Sequence, residues 1–154
     1  MDLDRFDRQL LNLLQEDAGQ TAERLAERVG LSPSAIQRRI RRMREQGVIL
    51  RDVAIVDPTK LGNPTLFVAS VQVERERPEL LARFREWLAS QSEVQQAFYV
   101  TGEADFVLVI TTSDTAAYDT LMSRMVAENP NVKRFTTNVA LNVIKRGLAI
   151  PISD

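Results

Sequence analysis

The sequence predicts an α+β protein in which a small helical part precedes a part built from alternating strands and helices. Apolar residues follow helical spacing as far as position 45, and runs of β-branched and aromatic residues recur after position 65. Between the two lies 57–64, which is rich in the turn-forming residues typical of a linker. We therefore expect a helical domain over residues 1–50, a strand and hinge linker over 51–64, and a sandwich domain over 65–154.

Two amphipathic helices are predicted to open the chain. The first has Asp4 as its N-cap and carries a set of large apolar residues, Phe6, Leu10, Leu11, Leu13 and Leu14. The second, over 21–29, carries a smaller apolar face made of Ala22, Leu25, Ala26 and Val29. Gly30 follows it, and glycine readily adopts the left-handed conformation that ends a helix. Two helices of this kind cannot bury each other's apolar faces, so a third is expected.

The third helix begins with Ser32 as its N-cap and Pro33 at the first helical position, where no N–H is needed. Its apolar residues form one narrow core-facing stripe, Ile36, Ile40 and Met43. The other side is cationic, because five arginines lie between positions 38 and 44. Two short helices joined by a tight turn that contains glycine are typical of a helix-turn-helix.

The arginine-rich helix needs an anionic partner, and double-stranded DNA fits it best. The first turns of such a helix reach deepest into the major groove, so Ser34, Gln37 and Arg38 are predicted to read base edges. Arg39 lies nearer the core and is expected to pack along the first helix. The predicted DNA-binding residues are Ser32, Ser34, Gln37, Arg38, Arg41, Arg42 and Arg44, of which the last three are expected to meet phosphates.

Charge is distributed unevenly along the chain, whose formal net charge is −1. Residues 1–51 carry ten arginines and eight acidic residues, whereas residues 52–154 carry ten basic and thirteen acidic residues. The segment 30–51 has six arginines against one glutamate. A positive field confined to one element favours phosphate binding. The alternative is an ordinary solvated face, or a face that binds an acidic protein.

Cysteine and histidine are both absent, which excludes disulfides, thiol chemistry and the common zinc ligands. We therefore predict no catalytic site, no metal and no cofactor other than a small-molecule effector. A carboxylate pair, Glu103 and Asp105, keeps a metabolic enzyme as an alternative. No apolar run approaches the 18 residues of a membrane span, so we expect no membrane contact and a cytoplasmic, nucleoid-associated protein.

After Gly47, which is expected to close the third helix, residues 48–56 are predicted to form a strand. The second half then follows the order strand, helix, strand, strand, helix, strand, over 66–73, 78–90, 94–101, 106–112, 115–128 and 132–144. This order is that of the ferredoxin-like βαββαβ fold, a four-stranded antiparallel sheet with both helices on one face. Since the first strand is apolar on both sides, we expect a second copy of the chain to cover the open face.

The turn between the second and third of these strands is a candidate ligand site. Gly102 allows backbone N–H groups to remain free for a carboxylate, as in an anion-binding nest, and Asp105 suits an ammonium group. The alternative is purely structural, with the glycine serving hairpin geometry and the aspartate capping the turn.

The chain resembles the Lrp/AsnC (feast/famine) family of transcriptional regulators over nearly its whole length. Three N-terminal stretches carry the resemblance, the opening helix at 3–11, the stretch at 25–33, and the run at 38–49. The last two together resemble the family's DNA-binding signature. Val100–Phe106 is similar to the family's Gly-x-x-Asp turn. Further similarity lies at 131–134, at Thr137 and Val139, and at 143–145.

The resemblance implies a winged helix-turn-helix, a ligand-sensing αβ-sandwich, and dimers that join into octamers or other closed assemblies. It also implies regulation of amino-acid metabolism genes through an amino-acid effector bound between sensing domains. The ligand-binding residues so indicated are Thr101, Gly102, Glu103, Ala104, Asp105, Thr136 and Thr137. Ala104 stands where the family often has an aromatic residue, which changes the pocket. The alternative function is therefore a non-sensing or architectural DNA-binding protein whose C-terminal domain only assembles.

Overall fold

The computed structural model describes residues 2–153 and divides the chain into two compact units. The first unit comprises residues 1–55 together with 145–154, and the second comprises residues 56–144. This division differs from the expected domains at the C-terminus, where the last ten residues group with the helical unit. The physical reason is that Ile152 packs against the helical core. Among the described residues, no helix is both long enough and apolar enough to cross a bilayer.

The helical unit contains α1 (Arg5–Glu16), α2 (Ala22–Val29) and α3 (Pro33–Glu45). Its buried core is made of the predicted apolar faces of all three, Leu10, Leu11, Leu13, Leu25, Ala26, Val29, Ile36 and Met43. Ile40, the remaining member of the predicted α3 stripe, is half-buried against this core. Each Å² of apolar surface removed from water stabilises the fold by about 25 cal/mol, so these contacts are the main attraction between the helices.

The predicted helix ends of this unit are confirmed. Asp4 caps α1 in a reciprocal box, because its carboxylate accepts the Asp7 N–H at 2.9 Å while the Asp7 carboxylate accepts the Asp4 N–H at 3.3 Å. Gly30 ends α2 with a φ of 78°, a left-handed conformation that side-chain-bearing residues rarely adopt. Ser32 caps α3, and its hydroxyl accepts the Ala35 N–H at 3.3 Å.

The strand predicted over residues 48–56 is absent. Val48 and Ile49 donate their N–H groups to the Met43 carbonyl and pack on the helical core, and residues 50–57 are exposed without strand pairing. A strand needs a neighbour to accept its backbone hydrogen bonds, and no described segment of the chain lies alongside this one. The hinge contains a short 3-10 helix, Pro58–Lys60, which Asp57 caps.

The second unit is the predicted ferredoxin-like sandwich. Its elements in chain order are β1 (Thr65–Val73), α4 (Pro78–Ser90), β2 (Val94–Tyr99), β3 (Phe106–Thr112), α5 (Thr115–Glu128) and β4 (Val132–Val139). The sheet order is β2-β3-β1-β4, and every neighbouring pair is antiparallel. One face of β1 and β3 packs with α4 and α5 in a core that contains Phe67, Leu108, Phe84 and Met125.

Two predicted strand ends are wrong, and both reflect where the neighbouring strand stops. β2 ends at Tyr99 rather than at 101, because Phe106, its partner there, is the first residue of β3. β4 ends at Val139 rather than at 144. Ala140 still donates to the Leu66 carbonyl, but β1 begins at Thr65, so the following residues have no strand beside them and are exposed.

Within the second unit, no helix or strand covers the other face of the sheet, as predicted. Alternation along the strands places Leu66, Val68, Val107 and Val109 on this face, and Phe98 of β2 joins them at 50% exposure. The apolar open face is therefore formed by the three strands β1, β2 and β3. Along β4 the corresponding positions are polar, since Arg134, Thr136 and Asn138 pair with β1 residues of this face.

Candidate nucleic-acid interface and effector site

The exposed side of α3 carries the predicted base-reading residues. Ser34, Gln37 and Arg38 are all exposed, as is Arg41 one turn further along the helix. The Ser34 hydroxyl lies 3.2 Å from that of Ser32, which ties it to the helix N-terminus. Arg38 and Arg41 form no ion pair with any residue in the described range 2–153. The positive charge of each guanidinium group is therefore exposed to solvent and is not paired with a described carboxylate.

A buried carboxylate binds the other side of α3 to α1. Asp7 is only 1% exposed, and its two oxygens accept from Arg39 Nη1 at 2.8 Å and from Arg42 Nη2 at 2.7 Å. Arg39 also reaches Asp4 at 2.8 Å, and its guanidinium lies over the Phe6 ring at 5.5 Å. The hydrogen bond that Arg39 donates to Asp7 is the main cause that raises the pKa of Arg39 above its usual value. The prediction that Arg39 packs along the first helix is confirmed.

The α3 arginines therefore divide into two classes. Arg39 and Arg42 are bound internally, whereas Arg38 and Arg41 project freely. Arg44 lies between these classes, because its half-exposed side chain pairs with Asp52 at 2.6 Å. Arg42, which was predicted to meet a phosphate, has its charge matched by Asp7 in the structure. Charge counting along the sequence treats all five as equivalent, and the structure shows that they are not.

The role of Asp7 was missed by the sequence analysis, although a signal for it exists. Asp7 stands on the same helical stripe as Leu10, Leu11 and Leu14, at spacings of three, four and seven residues. An acidic residue on a core-facing stripe requires a buried cationic partner. The arginines of α3 are the only basic run in this part of the sequence, so a pairing of Asp7 with α3 could have been inferred.

The Asp4 cap gives the helical unit an acid-sensitive contact. Its pKa is held below the usual 3.8, first by the Asp7 backbone N–H and then by Arg39. A carboxylate with a lowered folded-state pKa stabilises the fold above its unfolded pKa, and this stabilisation is lost as pH falls through the folded value. We therefore expect the stability difference between wild type and Asp4→Asn to shrink as the pH falls from 5 to below 3.8. Urea unfolding across this range measures it, and a constant difference would contradict the assignment.

The turn at 101–105 is held to the end of β1 by Asp105. Its N–H donates to the Val71 carbonyl at 3.0 Å, and its carboxylate accepts the Val73 N–H at 2.7 Å. Gly102 has a φ of 122°, which explains the glycine at this position. No hydrogen bond among residues 2–153 uses the N–H groups of 102–104. The turn thus combines a structural aspartate with a row of uncommitted backbone donors.

The structure adds two side chains to this turn that the sequence did not indicate. Gln72 of β1 donates to the Glu103 carbonyl, and Arg134 of β4 donates through Nε to the Gln72 side chain at 2.8 Å. Both lie on the open face of the sheet. The alternation of β1 and β4 is visible in the sequence, but the register that brings these two residues together is not.

The two β4 threonines of the predicted ligand set, Thr136 and Thr137, lie on opposite faces of that strand. Thr136 pairs with Ser70 on the open face, whereas the Thr137 hydroxyl lies 2.6 Å from the hydroxyl of Tyr118, a buried residue of α5. Burial raises the pKa of Tyr118, while the bond to Thr137 partly offsets this effect. The structure therefore brings Thr136, but not Thr137, to the sheet face that carries Gln72 and Arg134. No group of three or more potential metal-ligating residues occurs in the described chain.

Comparison with known proteins agrees with this architecture. Residues 66–150 match the family model of the Lrp/AsnC ligand-binding domain, and residues 3–49 match that of a winged helix-turn-helix DNA-binding domain. An uncharacterised helix-turn-helix-type transcriptional regulator of Sinorhizobium fredii is 43% identical, with 99% of this chain and 90% of the relative covered.

Two crystal structures are similar over nearly the whole chain. An AsnC family transcriptional regulator from Agrobacterium tumefaciens has 35% identity and a TM-score of 0.89, with 96% of each chain covered. A transcriptional regulator of Neisseria meningitidis, solved as a complex with L-methionine, has 26% identity and a TM-score of 0.88, with 97% of each chain covered. With its exposed cationic α3 and its ferredoxin-like second unit, this chain belongs to the Lrp/AsnC family and is a DNA-binding transcriptional regulator of that type.

Proposed function

We propose that α3 reads the major groove through Ser34, Gln37 and Arg38, while Arg41 and Arg44 contact phosphates. The observation that carries this assignment is the pair of exposed arginines, Arg38 and Arg41, without a described internal partner. Ser32 contributes by capping the helix at the end that enters the groove. Arg42 is reassigned from phosphate contact to holding α3 against α1, because its charge is already matched by Asp7.

The test is fluorescence anisotropy on DNA from upstream of the protein's own gene, with random-sequence DNA as competitor. Tight binding that resists the competitor supports a sequence-specific regulator. Equal affinity for both DNAs at every salt concentration contradicts base reading by α3 and favours the architectural alternative.

Arg41 offers a sharper test of the phosphate assignment. Log affinity falls with log salt concentration, and each lost phosphate contact reduces the magnitude of this negative slope by about 0.9. We therefore expect Arg41→Ala to weaken binding equally on specific and random DNA and to reduce the slope by about 1. Arg83→Ala, which removes an exposed arginine of α4 in the other unit, is the matched control. A change in sequence preference, or an unchanged slope, would contradict the role.

We infer that the turn at 101–105 binds the effector, a free amino acid held between sensing domains of adjacent subunits. The uncommitted N–H groups of 102–104 suit the α-carboxylate, and Arg134 adds a positive charge on the same side of the sheet. One carboxylate oxygen of Asp105 is used by Val73, which leaves the other for an ammonium group. The L-methionine complex of the neisserial regulator supports this ligand class.

A thermal-shift screen with the twenty amino acids tests this site. A ligand that binds only the folded state raises the apparent melting temperature. Asp105→Asn keeps an acceptor for Val73 but removes the charge, so we expect it to reduce the ligand-induced shift while the unliganded melting temperature stays close to that of wild type. Asp119→Asn on the exposed side of α5 is the control. A full shift in the Asp105 variant would refute the ammonium contact, and no shift in wild type favours the non-sensing alternative.

The apolar open face of the second unit supports a homodimer, and dimers of this kind join into octamers or similar closed assemblies. A contiguous apolar surface of half-buried valines and leucine with an exposed Phe98 is typical of a protein–protein contact. In this function the regulator acts on genes of amino-acid metabolism, on chromosomal DNA within the cytoplasm. The number of DNA-reading units in the assembly then sets how many half-sites one particle binds.

A further inference from the structure

A row of polar side chains along α1 binds the main chain of residues 150–153. Arg8, Asn12 and Gln15 stand at spacings of four and three residues, so they share one side of the helix. Gln15 makes a reciprocal pair with residue 150, donating to its carbonyl at 3.0 Å and accepting its N–H at 2.8 Å. The other two donate to the carbonyls of residues 152 and 153 at 3.1 and 3.0 Å.

The docked segment has only one apolar anchor. Ile152 is half-buried and packs against the helical core, whereas Ile150 is 66% exposed. Pro151, between them, lacks an N–H and disfavours helix for the residue before it, which keeps this segment extended. Apart from Ile152, recognition is of backbone groups, so α1 carries a surface shaped for an extended chain.

The contact is built to be reversible. Three of the four hydrogen bonds are solvent-exposed, and an exposed bond gains little over the bonds that both groups make with water. The preceding residues, 141–149, are exposed and have no strand pairing. A segment with so few buried contacts opens more readily than the helices do.

We propose that residues 150–153, the C-terminal strap, are a releasable second tether on the DNA-reading unit. The chain passes between the two units twice, near residue 55 and near residue 145. With the strap docked, the helical unit is held through both segments, and with the strap released it is held only through the 51–64 linker. An assembly that binds two half-sites must fix the orientations of two helical units. This costs less entropy if each unit already has fewer accessible orientations. This inference rests on the proposed reading role of α3 and on a dimer as the binding species.

A disulfide tests the docking without DNA. The chain has no cysteine, so the double variant Gln15→Cys/Ile150→Cys introduces the only thiols. We expect mild oxidation to give a crosslinked species that runs as a monomer on a non-reducing gel and reverts with dithiothreitol. Gln9→Cys/Ile150→Cys is the control, because Gln9 is exposed on α1 about a quarter-turn from the polar row.

DNA binding by locked and released forms then tests the tether. The oxidised Gln15/Ile150 variant should bind the upstream DNA as tightly as wild type. A chain that ends at residue 149 should bind it about fivefold or more weakly, the lower end of typical coupling between distant elements, with affinity for random DNA unchanged. Asn12→Ala/Gln15→Ala releases the strap without truncation, and it should reproduce the loss if the shortened chain fails to fold.

Four results would overturn the proposal. A crosslink that appears only between two chains assigns the segment to a second copy, and a crosslink no stronger than in the Gln9 control removes the docking itself. Released forms that bind specific DNA as tightly as wild type remove the tether. If wild type itself shows no sequence preference, the reading role of α3 fails and the tether fails with it, while the gel still decides whether the segment docks.

Discussion

Replacing Asp7 with alanine is expected to lower the free energy of unfolding of the helical unit by about 3 kcal/mol. The substitution removes a 1%-exposed carboxylate that binds Arg39 and Arg42 together, so it leaves Arg42 without an anion and Arg39 with Asp4 alone. Breaking a buried ion pair from one side costs about 3–5 kcal/mol. The lower end applies here because the Arg42 side chain is 43% exposed and regains hydration.

Urea unfolding followed by circular dichroism and by hydrogen exchange of the full chain measures this loss. Exchange should accelerate in peptides from α1 and α3 and stay unchanged in peptides from α4, which belongs to the other unit. Glu27→Ala removes an exposed acidic residue of α2 and is the matched control. Equal stability of the Asp7 variant and this control would show that the buried pairs contribute nothing.

Replacing Arg38 with alanine is expected to cost about 1–3 kcal/mol of specific DNA affinity, which is the value of one good side chain–base contact. Arg38 is exposed, stands within the first two turns of α3 and has no ion-pair partner among residues 2–153. Its loss should relax sequence preference at one base pair, whereas Arg41→Ala should weaken all sequences alike.

Competition assays on DNA with single base substitutions separate these two outcomes. A base-reading arginine loses discrimination at one position of the site, and the Arg38 variant then binds the substituted and original sequences equally. Equal losses by the Arg38 variant on specific and random DNA would assign it to the phosphate backbone instead. Arg39→Ala is unsuitable as a control, because Arg39 also holds α1 against α3.

Elements defined by local signals were predictable from the sequence. The caps of α1, α3 and α5 follow from Asp4, Ser32 and Asp114, because each side chain accepts the backbone N–H three residues further on and helix ends depend on little else. The bounds of α4 and α5 agree with the prediction to the residue. The ferredoxin-like order follows from the alternation of periods 2.0 and 3.6, which requires no long-range information.

Features that depend on distant partners were not predictable in this way. Residues 48–56 and 140–144 have strand-like composition, but they find no neighbour to complete a ladder. The opposite orientations of Thr136 and Thr137 depend on the β1–β4 register. The strap needs a contact across more than 130 residues of sequence. In each case the local pattern permits several outcomes, and tertiary contacts choose between them.

The internal pairing of Arg39 and Arg42 has a consequence for how the regulator finds its site on a chromosome. With those two charges matched by Asp4 and Asp7, the helix offers fewer cations to the DNA backbone than its sequence suggests. Each cation that is unavailable for phosphate contact weakens sequence-independent binding. We therefore expect encounters with unrelated DNA to be shorter than five unpaired arginines would allow, so that the protein samples more positions in a given time. A DNA-reading helix whose arginines are partly paired within the fold is thus expected to stay for less time on unrelated sequences and to reach its own site sooner.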